Sequence, residues 1–372
     1  LTLNQVDSAD KTYDGNKKTE QNLGELFVLQ GIVSGEEELV SLSDESKALI
    51  GTYDSKDAGA RSVAFSGIKL KDPADGQIQN YTIAENATGT GTITPKTITL
   101  KKIEKVEKTY NRNYETEQKF SEVYELDGVI DSEVVFTNTT KDSRGTYSDR
   151  NVGSWDVTFS DINIEAAEGG NLNNYTFNTS SVTTTGTISQ AELNLQAKGT
   201  GIVKIYDGND NTLQKLNDAY ELIGVYAGDT VTLTGGDTTG QYDTRHAEEN
   251  KDVTFTGVSL TGADKANYKI ANSEGDVVHT TGKIEQKNLT LTATTFSREY
   301  DGTESIVRTS GDAGYTQEGL VSEYDTISGV TTKFNSKNAG DRTVSILTGY
   351  EIKDKAGQDM SGNYNITTDT AE

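Results

Sequence analysis

The sequence predicts an all-β protein built from four tandem copies of one small module. Three observations lead to this prediction: landmark residues that recur about every 95 residues, short segments that alternate apolar with polar residues, and few core-forming side chains. Of the 372 residues, 33% are hydrophobic and 8% are aromatic. Because apolar side chains are scarce, we expect each module to bury a thin core of its own, and we do not expect one large globule.

Five landmarks recur in the same order in every copy. An apolar triplet begins at Leu1, Ile98, Leu193 and Leu289, and a Tyr-Asp-Gly motif follows at Tyr13-Asp14-Gly15, Tyr206-Asp207-Gly208 and Tyr300-Asp301-Gly302, with Tyr110-Asn111-Arg112 in the second copy. A glycine with an aromatic residue four positions before it stands at Gly31, Gly128, Gly224 and Gly319. A cation follows an aromatic residue by three positions at Lys56, Arg150, Arg245 and Lys337, and an Asn-Tyr pair ends at Tyr81, Tyr175, Tyr268 and Tyr364. This order predicts repeats at residues 1–94, 95–189, 190–285 and 286–372.

The segments between these landmarks have the pattern of short strands. Val63-Ala64-Phe65 and Val253-Thr254-Phe255 alternate with a period of two, which is typical of a strand with one buried face. Glycines interrupt such runs at short intervals, and no window carries a convincing helical stripe. Several short strands in a unit of about 95 residues fit a β-sandwich of immunoglobulin type. A grasp-like α+β module, with one helix on a sheet, is the alternative that remains open.

The joints between repeats are short and rich in β-forming residues. The segment from Gly91 to Leu100 closes the first repeat and opens the second without a glycine–serine or polar linker, and the segments 186–195 and 282–291 do the same. We therefore expect the modules to form an elongated, semi-rigid rod. The fourth repeat stops before its closing Gly-x-Ile, so we also expect the chain to be a segment of a longer array.

Charge and cysteine content narrow the classes of partner. With 58 acidic and 34 basic residues, the formal net charge is −24, which disfavours nucleic acid and anionic lipid surfaces. The chain has no cysteine, so disulfides and thiolate metal sites are excluded. No apolar run approaches the roughly 20 residues that a membrane-spanning helix needs, so we expect no direct membrane insertion. No signal segment is visible at the first residues of the sequence.

The landmarks together resemble a known family of repeats. The Tyr-Asp-Gly start, the glycine with an acidic turn after it, the block Lys56-Asp57-Ala58-Gly59, the Asn-Tyr pair and the Gly-x-Ile-Thr-Pro-Lys joint are similar to YDG-type repeats, which are related to the MBG ("mostly bacterial Ig-like") repeats. The similarity covers all four units and is weakest in the second, at Asn111 and Arg112. Such repeats belong to filamentous-haemagglutinin-like bacterial surface adhesins. The resemblance implies a location at the bacterial cell surface, a spacer role and no catalysis.

Candidate catalytic residues are few. The only histidines, His246 and His279, both lie in the third repeat and lack a partner histidine at metal-ligand spacing. No nucleophile elbow accompanies them, so we expect no enzymatic activity. The second repeat departs most from the pattern, at Asn111, Arg112 and Trp155, and is the first place to look for a specialised surface. Trp155 itself is expected to pack locally.

Acidic turns are the candidate calcium sites. Glu36-Glu37-Glu38, Asp131 with Glu133, Asp229, and Glu323 with Asp325 occupy the same region of each repeat, and Asp207, Asn209 and Asp210 form an oxygen-rich turn in the third. Calcium takes six to eight oxygen ligands, which makes Asp207, Asn209 and Asp210 candidate ligands. Ordinary solvated turns are the alternative, and the irregular register favours them. Apart from calcium, no cofactor is expected.

The recurring cations and tyrosines have structural interpretations. We expect Lys56, Arg150, Arg245 and Lys337 to pair with the carboxylates of Asp14, Asp207 and Asp301 or to stack on the nearby aromatic ring. A Lys–Asn isopeptide crosslink at this position is excluded in two repeats by Arg150 and Arg245. The tyrosines of the Tyr-Asp-Gly motif are expected to fill the core, each with its hydroxyl on a backbone group.

Two functional hypotheses follow. In the first, the chain is a non-catalytic spacer of a bacterial surface adhesin or exoprotein, whose partners are the adjacent modules of the same polypeptide. In the second, the repeats themselves bind a glycan, a host or matrix protein, or neighbouring copies. Residues of a spacer recur in every module, whereas a binding site is expected in one module as a departure from the pattern.

Overall fold

A computed structural model describes residues 1–72 and 77–372. Strands dominate the described residues, and the α-helices among them are single turns of four or five residues. The chain divides into two compact units, Leu1–Ser189 and Gln190–Glu372. The all-β prediction is therefore confirmed. No described helix is long and apolar enough to cross a membrane.

The first unit holds repeats one and two. Repeat one contains β1 (Thr2–Gln5), β2 (Lys11–Thr12), β3 (Lys18–Asn22), α1 (Leu23–Leu26), β4 (Phe27–Gln30), α2 (Asp44–Lys47), β5 (Ile50–Tyr53), β6 (Gly59–Ser66) and β7 (Asn86–Thr94). Repeat two contains β8 (Lys96–Thr97), β9 (Thr99–Lys102), β10 (Val106–Thr109), β11 (Glu115–Lys119), α3 (Phe120–Val123), β12 (Tyr124–Asp127), β13 (Val134–Phe136), α4 (Asn138–Asp142), β14 (Arg144–Tyr147), β15 (Gly153–Ser160), β16 (Ile164–Ala166), β17 (Tyr175–Thr176) and β18 (Ser181–Ser189).

The second unit holds repeats three and four. Repeat three contains β19 (Ala191–Ala197), β20 (Ile202–Ile205), β21 (Asn211–Lys215), α5 (Leu216–Ala219), β22 (Tyr220–Ile223), β23 (Thr232–Thr234), β24 (Thr239–Tyr242), β25 (Glu248–Phe255), β26 (Ser259–Thr261), β27 (Tyr268–Ile270), β28 (Ser273–Glu274) and β29 (Val277–Glu285). Repeat four contains β30 (Lys287–Ala293), β31 (Tyr315–Glu318), β32 (Asp325–Ser328), β33 (Thr332–Phe334), β34 (Val344–Ile346), β35 (Glu351–Asp354) and β36 (Tyr364–Asp369). Single 3₁₀ turns at Gln77–Asn80, Leu172–Asn174, Lys265–Asn267 and Ser361–Asn363 carry the asparagines of the Asn-Tyr pairs.

Repeats one to three share a main sheet with the same strand order. The order is β2-β7-β6-β5-β3 in repeat one, β10-β18-β15-β14-β11 in repeat two and β20-β29-β25-β24-β21 in repeat three. The last strand of each repeat therefore lies inside the sheet, antiparallel to one neighbour and parallel to the strand before the Tyr-Asp-Gly loop. Strand β6 shows why the sheet forms, since alternate residues Val63 and Phe65 are buried while Ser62 and Ala64 are exposed.

A smaller layer packs on the main sheet. In repeat one it consists of β1 paired antiparallel with β4, whose Phe27 contacts Phe65 of the main sheet edge to face, with ring centroids 5.6 Å apart. The helix α1 leads into β4, is capped by Asn22 and buries Leu23 and Leu26. Because the described helices have at most five residues, they cannot cover a sheet in the way that the grasp-like alternative requires. Two packed β layers agree with the sandwich prediction.

The joints within each unit are as short as predicted. Only Pro95 separates β7 from β8, and only Gln286 separates β29 from β30. The strand that opens a repeat pairs in parallel with the strand that begins at the tyrosine of the same repeat's Asn-Tyr pair. Thus β8 pairs with β17, and β30 pairs with β36. The elongated rod predicted for the whole chain stays a prediction.

Repeat four differs from the other three. Its β33 and β34 pair only with each other as strands, and no strand is assigned to residues 294–314. The described part of repeat four contains no counterpart of the closing strands β7, β18 and β29. Tyr300 of its Tyr-Asp-Gly motif is 68% exposed, whereas Tyr13, Tyr110 and Tyr206 are at most 1% exposed. The burial predicted for these tyrosines is thus confirmed in three repeats and wrong in the fourth.

Candidate functional site

The loop at the Tyr-Asp-Gly motif is built around a buried lysine. In repeat one the side chain of Lys11 is fully buried, and its Nζ donates to Asp14 Oδ1 at 2.6 Å and to the Asn16 carbonyl at 3.0 Å. The ammonium also lies 5.3 Å from the ring centroid of Tyr53. Oxygens on one side and an aromatic face on the other satisfy the buried charge. The motif therefore serves to hold a cation of the chain itself.

The same cradle occurs in every repeat. The cation stands two residues before the motif's tyrosine, and the ring beneath it belongs to the aromatic landmark of the third block: Lys108 with Tyr147, Lys204 with Tyr242, and Arg298 with Phe334. In repeat two, where Asn111 replaces the aspartate, Lys108 binds only uncharged oxygens, including Asn113 Oδ1 at 2.7 Å. Burial without a contacting carboxylate lowers the pKa of Lys108 from its ordinary value.

The residues predicted to bind calcium in repeat three take part in the same kind of loop. Lys204 Nζ lies 2.7 Å from Asp207 Oδ1 and 2.8 Å from the Asn209 carbonyl, while the Asp210 carbonyl accepts from the Tyr242 N–H. Within residues 1–72 and 77–372, no group of three or more His, Cys, Asp or Glu side chains is arranged to hold a metal ion. Calcium binding at Asp207, Asn209 and Asp210 stays a prediction, and it would require Lys204 to leave its oxygens.

The predicted partners of the recurring cations are wrong. Asp14, Asp207 and Asp301 pair with the cradle cations Lys11, Lys204 and Arg298 of their own loops. Lys56 instead pairs with Glu133 of the next repeat at 2.6 Å, and Arg245 pairs with Asp354 of repeat four. In the described part of the chain, Arg150 and Lys337 form no ion pair. Lys56 and Arg245 thus reach across a repeat boundary, while Asp14 and Asp207 of their own repeats are already paired with Lys11 and Lys204.

Glu133 is the centre of the contact between repeats one and two. It is 8% exposed, and its carboxylate accepts from the Tyr13 hydroxyl at 2.6 Å, from the Tyr175 hydroxyl at 3.0 Å and from Lys56. The rings of Tyr13 and Tyr175 meet edge to face at 5.4 Å. The Tyr13 hydroxyl therefore binds a carboxylate of the next repeat and not the backbone group that we predicted.

Burial and hydrogen bonding act on this cluster in opposite directions. Burial raises the pKa of Glu133, but the hydrogen bonds from Lys56, Tyr13 and Tyr175 outweigh it and hold the pKa below the ordinary value. Burial, together with the hydrogen bond to Glu133, raises the pKa of Tyr175 to about 12. The glutamate is thus ionised and the tyrosines are protonated at neutral pH, which is the pairing that the geometry needs.

A second set of bonds joins the block after Lys56 to the Asn-Tyr pair. Asn174 is 1% exposed; its Oδ1 accepts from the Ala58 N–H at 2.8 Å and its Nδ2 donates to Asp57 Oδ1 at 2.9 Å. Gly15 has φ +81°, and a Cβ on it would lie 2.9 Å from Ile130 Cγ2 of repeat two. Glycine is needed there for its backbone conformation and for the approach of the next repeat.

The contact between repeats three and four repeats this design. Asp325, 1% exposed, accepts from the hydroxyls of Tyr206 at 2.8 Å and Tyr364 at 2.7 Å. The Asn363 side chain accepts from the Ala247 N–H at 2.8 Å, as Asn174 does from Ala58. Gly208 has φ +87°, and a Cβ on it would overlap Tyr324 of repeat four at 2.3 Å.

One carboxylate of each acidic turn has the same role. In all four repeats this carboxylate accepts a hydrogen bond from the hydroxyl of the tyrosine in that repeat's Asn-Tyr pair. The same hydroxyl accepts a hydrogen bond from a backbone N–H of the turn. The pairs are Glu36 with Tyr81, Glu133 with Tyr175, Asp229 with Tyr268 and Asp325 with Tyr364. The acidic turns that were candidate calcium sites therefore hold tyrosines. In repeat four this carboxylate comes one residue later than in the others, and it is the first residue of β32.

Two recurring positions were missed from the sequence. The cradle cations Lys11, Lys108, Lys204 and Arg298 recur at a fixed distance from the motif and were detectable by that spacing. The other position lies two residues before the valine that begins the alternating run, such as Val63 or Val344. Arg61 and Arg342 occupy it in repeats one and four and donate to backbone carbonyls of the preceding loop. Trp155 occupies it in repeat two, and its Nε1 donates to the Asn151 carbonyl at 2.6 Å, which confirms local packing.

Comparison with known proteins agrees with the repeats. The family described as YDG domain matches residues 1–89, 94–185, 189–275 and 285–371. No curated protein matches the sequence. Among solved structures, the Bacillus anthracis TIE protein is 10% identical, with 99% of this chain and 73% of that chain covered and a TM-score of 0.15, which is too low to indicate a shared fold. Because the four matches span nearly all of the sequence, the chain belongs to the YDG domain family and carries its domain in four tandem copies.

Proposed function

We propose that the chain is a non-catalytic spacer segment of a large bacterial cell-surface adhesin or exoprotein. It would lie outside the cell, project a binding region carried elsewhere on the polypeptide, and have its own adjacent modules as its main partners. The observation that carries the proposal is that recurring residues of one repeat bind residues of the next repeat. Tyr13, Lys56, Glu133 and Asn174 are engaged in bonds that join one repeat to the next.

The physical basis of a spacer is resistance to bending at its joints. Between repeats one and two a single residue, Pro95, separates two strands, and three donors converge on the buried Glu133. A hydrogen bond to a charged group contributes about 1.5–3 kcal/mol, so opening this joint would cost several kcal/mol. A flexible linker has no comparable penalty.

The charge of the chain supports a well-solvated surface. A net charge of −24 keeps a repetitive chain soluble and disfavours nucleic acid and anionic lipid as partners. Direct binding of a glycan, a host or matrix protein, or a neighbouring copy is the second hypothesis.

The test is the stiffness of the chain in solution. Small-angle X-ray scattering of the whole chain is expected to give a rod whose longest dimension is on the order of 130 Å, from four modules of roughly ten strand residues each. Glu133→Gln is expected to increase bending, because the ion pair with Lys56 is lost. Glu168→Gln changes an exposed glutamate of the same repeat and is the matched control.

Two outcomes would contradict the proposal. A compact globule would exclude a spacer that acts by length. Saturable binding of a glycan by the rod-shaped chain, abolished by changes in one repeat, would favour the second hypothesis instead.

A further inference from the structure

The lysine cradle of repeat one brings an amine, a carboxylate and an amide side chain into mutual contact. Lys11, whose side chain is fully buried, places its Nζ 2.6 Å from Asp14 Oδ1 and 3.2 Å from Asn16 Oδ1. The other oxygen of the same carboxylate, Asp14 Oδ2, accepts a hydrogen bond from Asn16 Nδ2 at 2.8 Å. One carboxylate therefore contacts both the amine of the lysine and the amide nitrogen of the asparagine.

The side-chain carbonyl of Asn16 is polarised by a backbone donor. The N–H of Lys18 donates to Asn16 Oδ1 at 2.7 Å. A donor at this place stabilises the negative charge that develops on the oxygen when a nucleophile adds to Cγ of the amide. An amine that can pass its proton to an adjacent carboxylate is such a nucleophile. The loop thus holds a nucleophile, a proton acceptor and an activated carbonyl within one set of hydrogen bonds.

Repeat three has the same three groups in the same loop. The Nζ of Lys204, whose side chain is also fully buried, lies 2.7 Å from Asp207 Oδ1 and 3.1 Å from Asn209 Oδ1. Asn209 Oδ1 accepts from the Asn211 N–H at 2.9 Å, as Asn16 Oδ1 does from the Lys18 N–H. The arrangement in repeat one is therefore not an accident of a single loop.

Repeats two and four each lack a member of the set. In repeat two Lys108 Nζ lies 2.7 Å from Asn113 Oδ1, but Asn111 stands in the place of the aspartate. In repeat four the cradle cation is Arg298, and Thr303 stands in the place of the asparagine. These two loops are internal controls for any chemistry that needs the lysine, the carboxylate and the amide together.

We propose that Lys11 with Asn16, and Lys204 with Asn209, form intramolecular isopeptide bonds, and that Asp14 and Asp207 transfer the protons. The aspartate takes a proton from the lysine ammonium, and the freed amine adds to Cγ of the asparagine. The Cγ–Nδ2 bond then breaks while the aspartate returns protons to Nδ2. Two lysine protons move to this nitrogen in all, so ammonium leaves, an amide remains and the aspartate is again a carboxylate.

The bond would fix the loop that contacts the next repeat. In repeat one it closes a ring that contains Tyr13 and Gly15, which contact Glu133 and Ile130 of repeat two. The reaction happens once in each loop and turns over no substrate, so it is compatible with a non-catalytic chain. The inference does not depend on the spacer role.

Intact mass spectrometry of the whole folded chain tests the proposal. The mass is expected to be lower than that of the sequence by two ammonia molecules, one for each bond. Trypsin is expected not to cleave after Lys11 or Lys204, because an acylated lysine is not a substrate, and fragmentation should give no backbone cleavage products between Lys11 and Asn16. Loss of ammonia with normal cleavage after Lys11 would indicate a cyclised asparagine and would overturn the proposal.

Three variants test the role of the carboxylate. Asp14→Asn gives repeat one the residue that repeat two has at this position, and it is expected to lose one ammonia molecule instead of two. Glu20→Gln changes an exposed acidic residue of the same repeat and should still lose two. Asn111→Asp supplies the missing carboxylate beside Lys108 and should lose three.

The result that would overturn the proposal as a whole is a wild-type mass equal to that of the sequence. Loss of two ammonia molecules by Asp14→Asn, or no additional loss by Asn111→Asp, would overturn the role of the aspartate. The wild-type measurement requires no substitution, so the proposal can fail whether or not a variant folds.

Discussion

The contact between repeats one and two and the contact between repeats three and four share a plan and differ in how the cation is used. In both, two tyrosine hydroxyls converge on one buried carboxylate, Glu133 or Asp325. Lys56 reaches that same carboxylate, whereas Arg245 binds Asp354. In consequence Asp325 Oδ1 is buried without a hydrogen-bond partner in the structure.

The difference shows which part of the contact is constant. The tyrosine pair and the asparagine that accepts from a backbone N–H are the same in both contacts. The partner of the cation differs between the two contacts. The longer side chain of Glu133 reaches Lys56, whereas the shorter Asp325 does not pair with Arg245, which binds Asp354 instead. Repeat four gives a third case, because its Tyr300 is exposed.

The largest effect is expected from removing the tyrosine of the contact. Tyr13→Ala and Tyr206→Ala should each destabilise their unit by about 3–5 kcal/mol, because a fully buried aromatic ring and its hydrogen bond are lost. Tyr300→Ala, at the same position of repeat four, should change stability by less than about 0.5 kcal/mol.

Urea denaturation measures this difference for Tyr13, followed by the fluorescence of Trp155, the one tryptophan of the chain. Hydrogen-exchange mass spectrometry measures it for Tyr206 and Tyr300. Equal losses for Tyr206→Ala and Tyr300→Ala would show that the contact with the next repeat does not stabilise the tyrosine.

A smaller effect is expected from neutralising the carboxylates, and it should differ between the two contacts. Glu133→Gln should cost about 1.5–3 kcal/mol, because the charged acceptor of two hydroxyls and one ammonium becomes neutral. Asp325→Asn should cost about 1 kcal/mol or less, since Asp325 has no cation and one of its oxygens has no partner. A loss for Asp325→Asn as large as that for Glu133→Gln would mean that the two hydroxyls alone account for the stabilisation.

The smallest effect is expected from pH, through Glu133 of the first unit. The pKa of Glu133 is held below its ordinary value of 4.5, so its contribution to stability is complete above that pH and is lost as pH falls through the lowered pKa. Acid should therefore weaken the wild-type first unit more than the Glu133→Gln variant. Parallel denaturation midpoints of the two proteins between pH 6 and about pH 3 would contradict the assignment of this dependence to Glu133.

The fold was largely predictable from local sequence, and the site was not. Val63 and Phe65 alternate with exposed neighbours, so the strand and its buried face follow from period-two patterning. The partner of Lys56 was mispredicted because Asp14 is nearer in the motif pattern, yet Lys11 already occupies it. Tyr13 and Glu133 are 120 residues apart, and no local pattern relates two groups at that separation.

The sequence by itself determined that there are four modules, that they are all-β, and that they join without linkers, because repetition, alternation and the absence of linker residues are properties of neighbouring positions. Only the tertiary structure decided what the repeated polar residues do. Whether a carboxylate binds a calcium ion, a lysine of its own loop or a tyrosine of another repeat depends on which groups folding brings within about 3 Å of it in a buried place. For Asp14 that group is Lys11, and for Glu133 it is the pair of tyrosines together with Lys56.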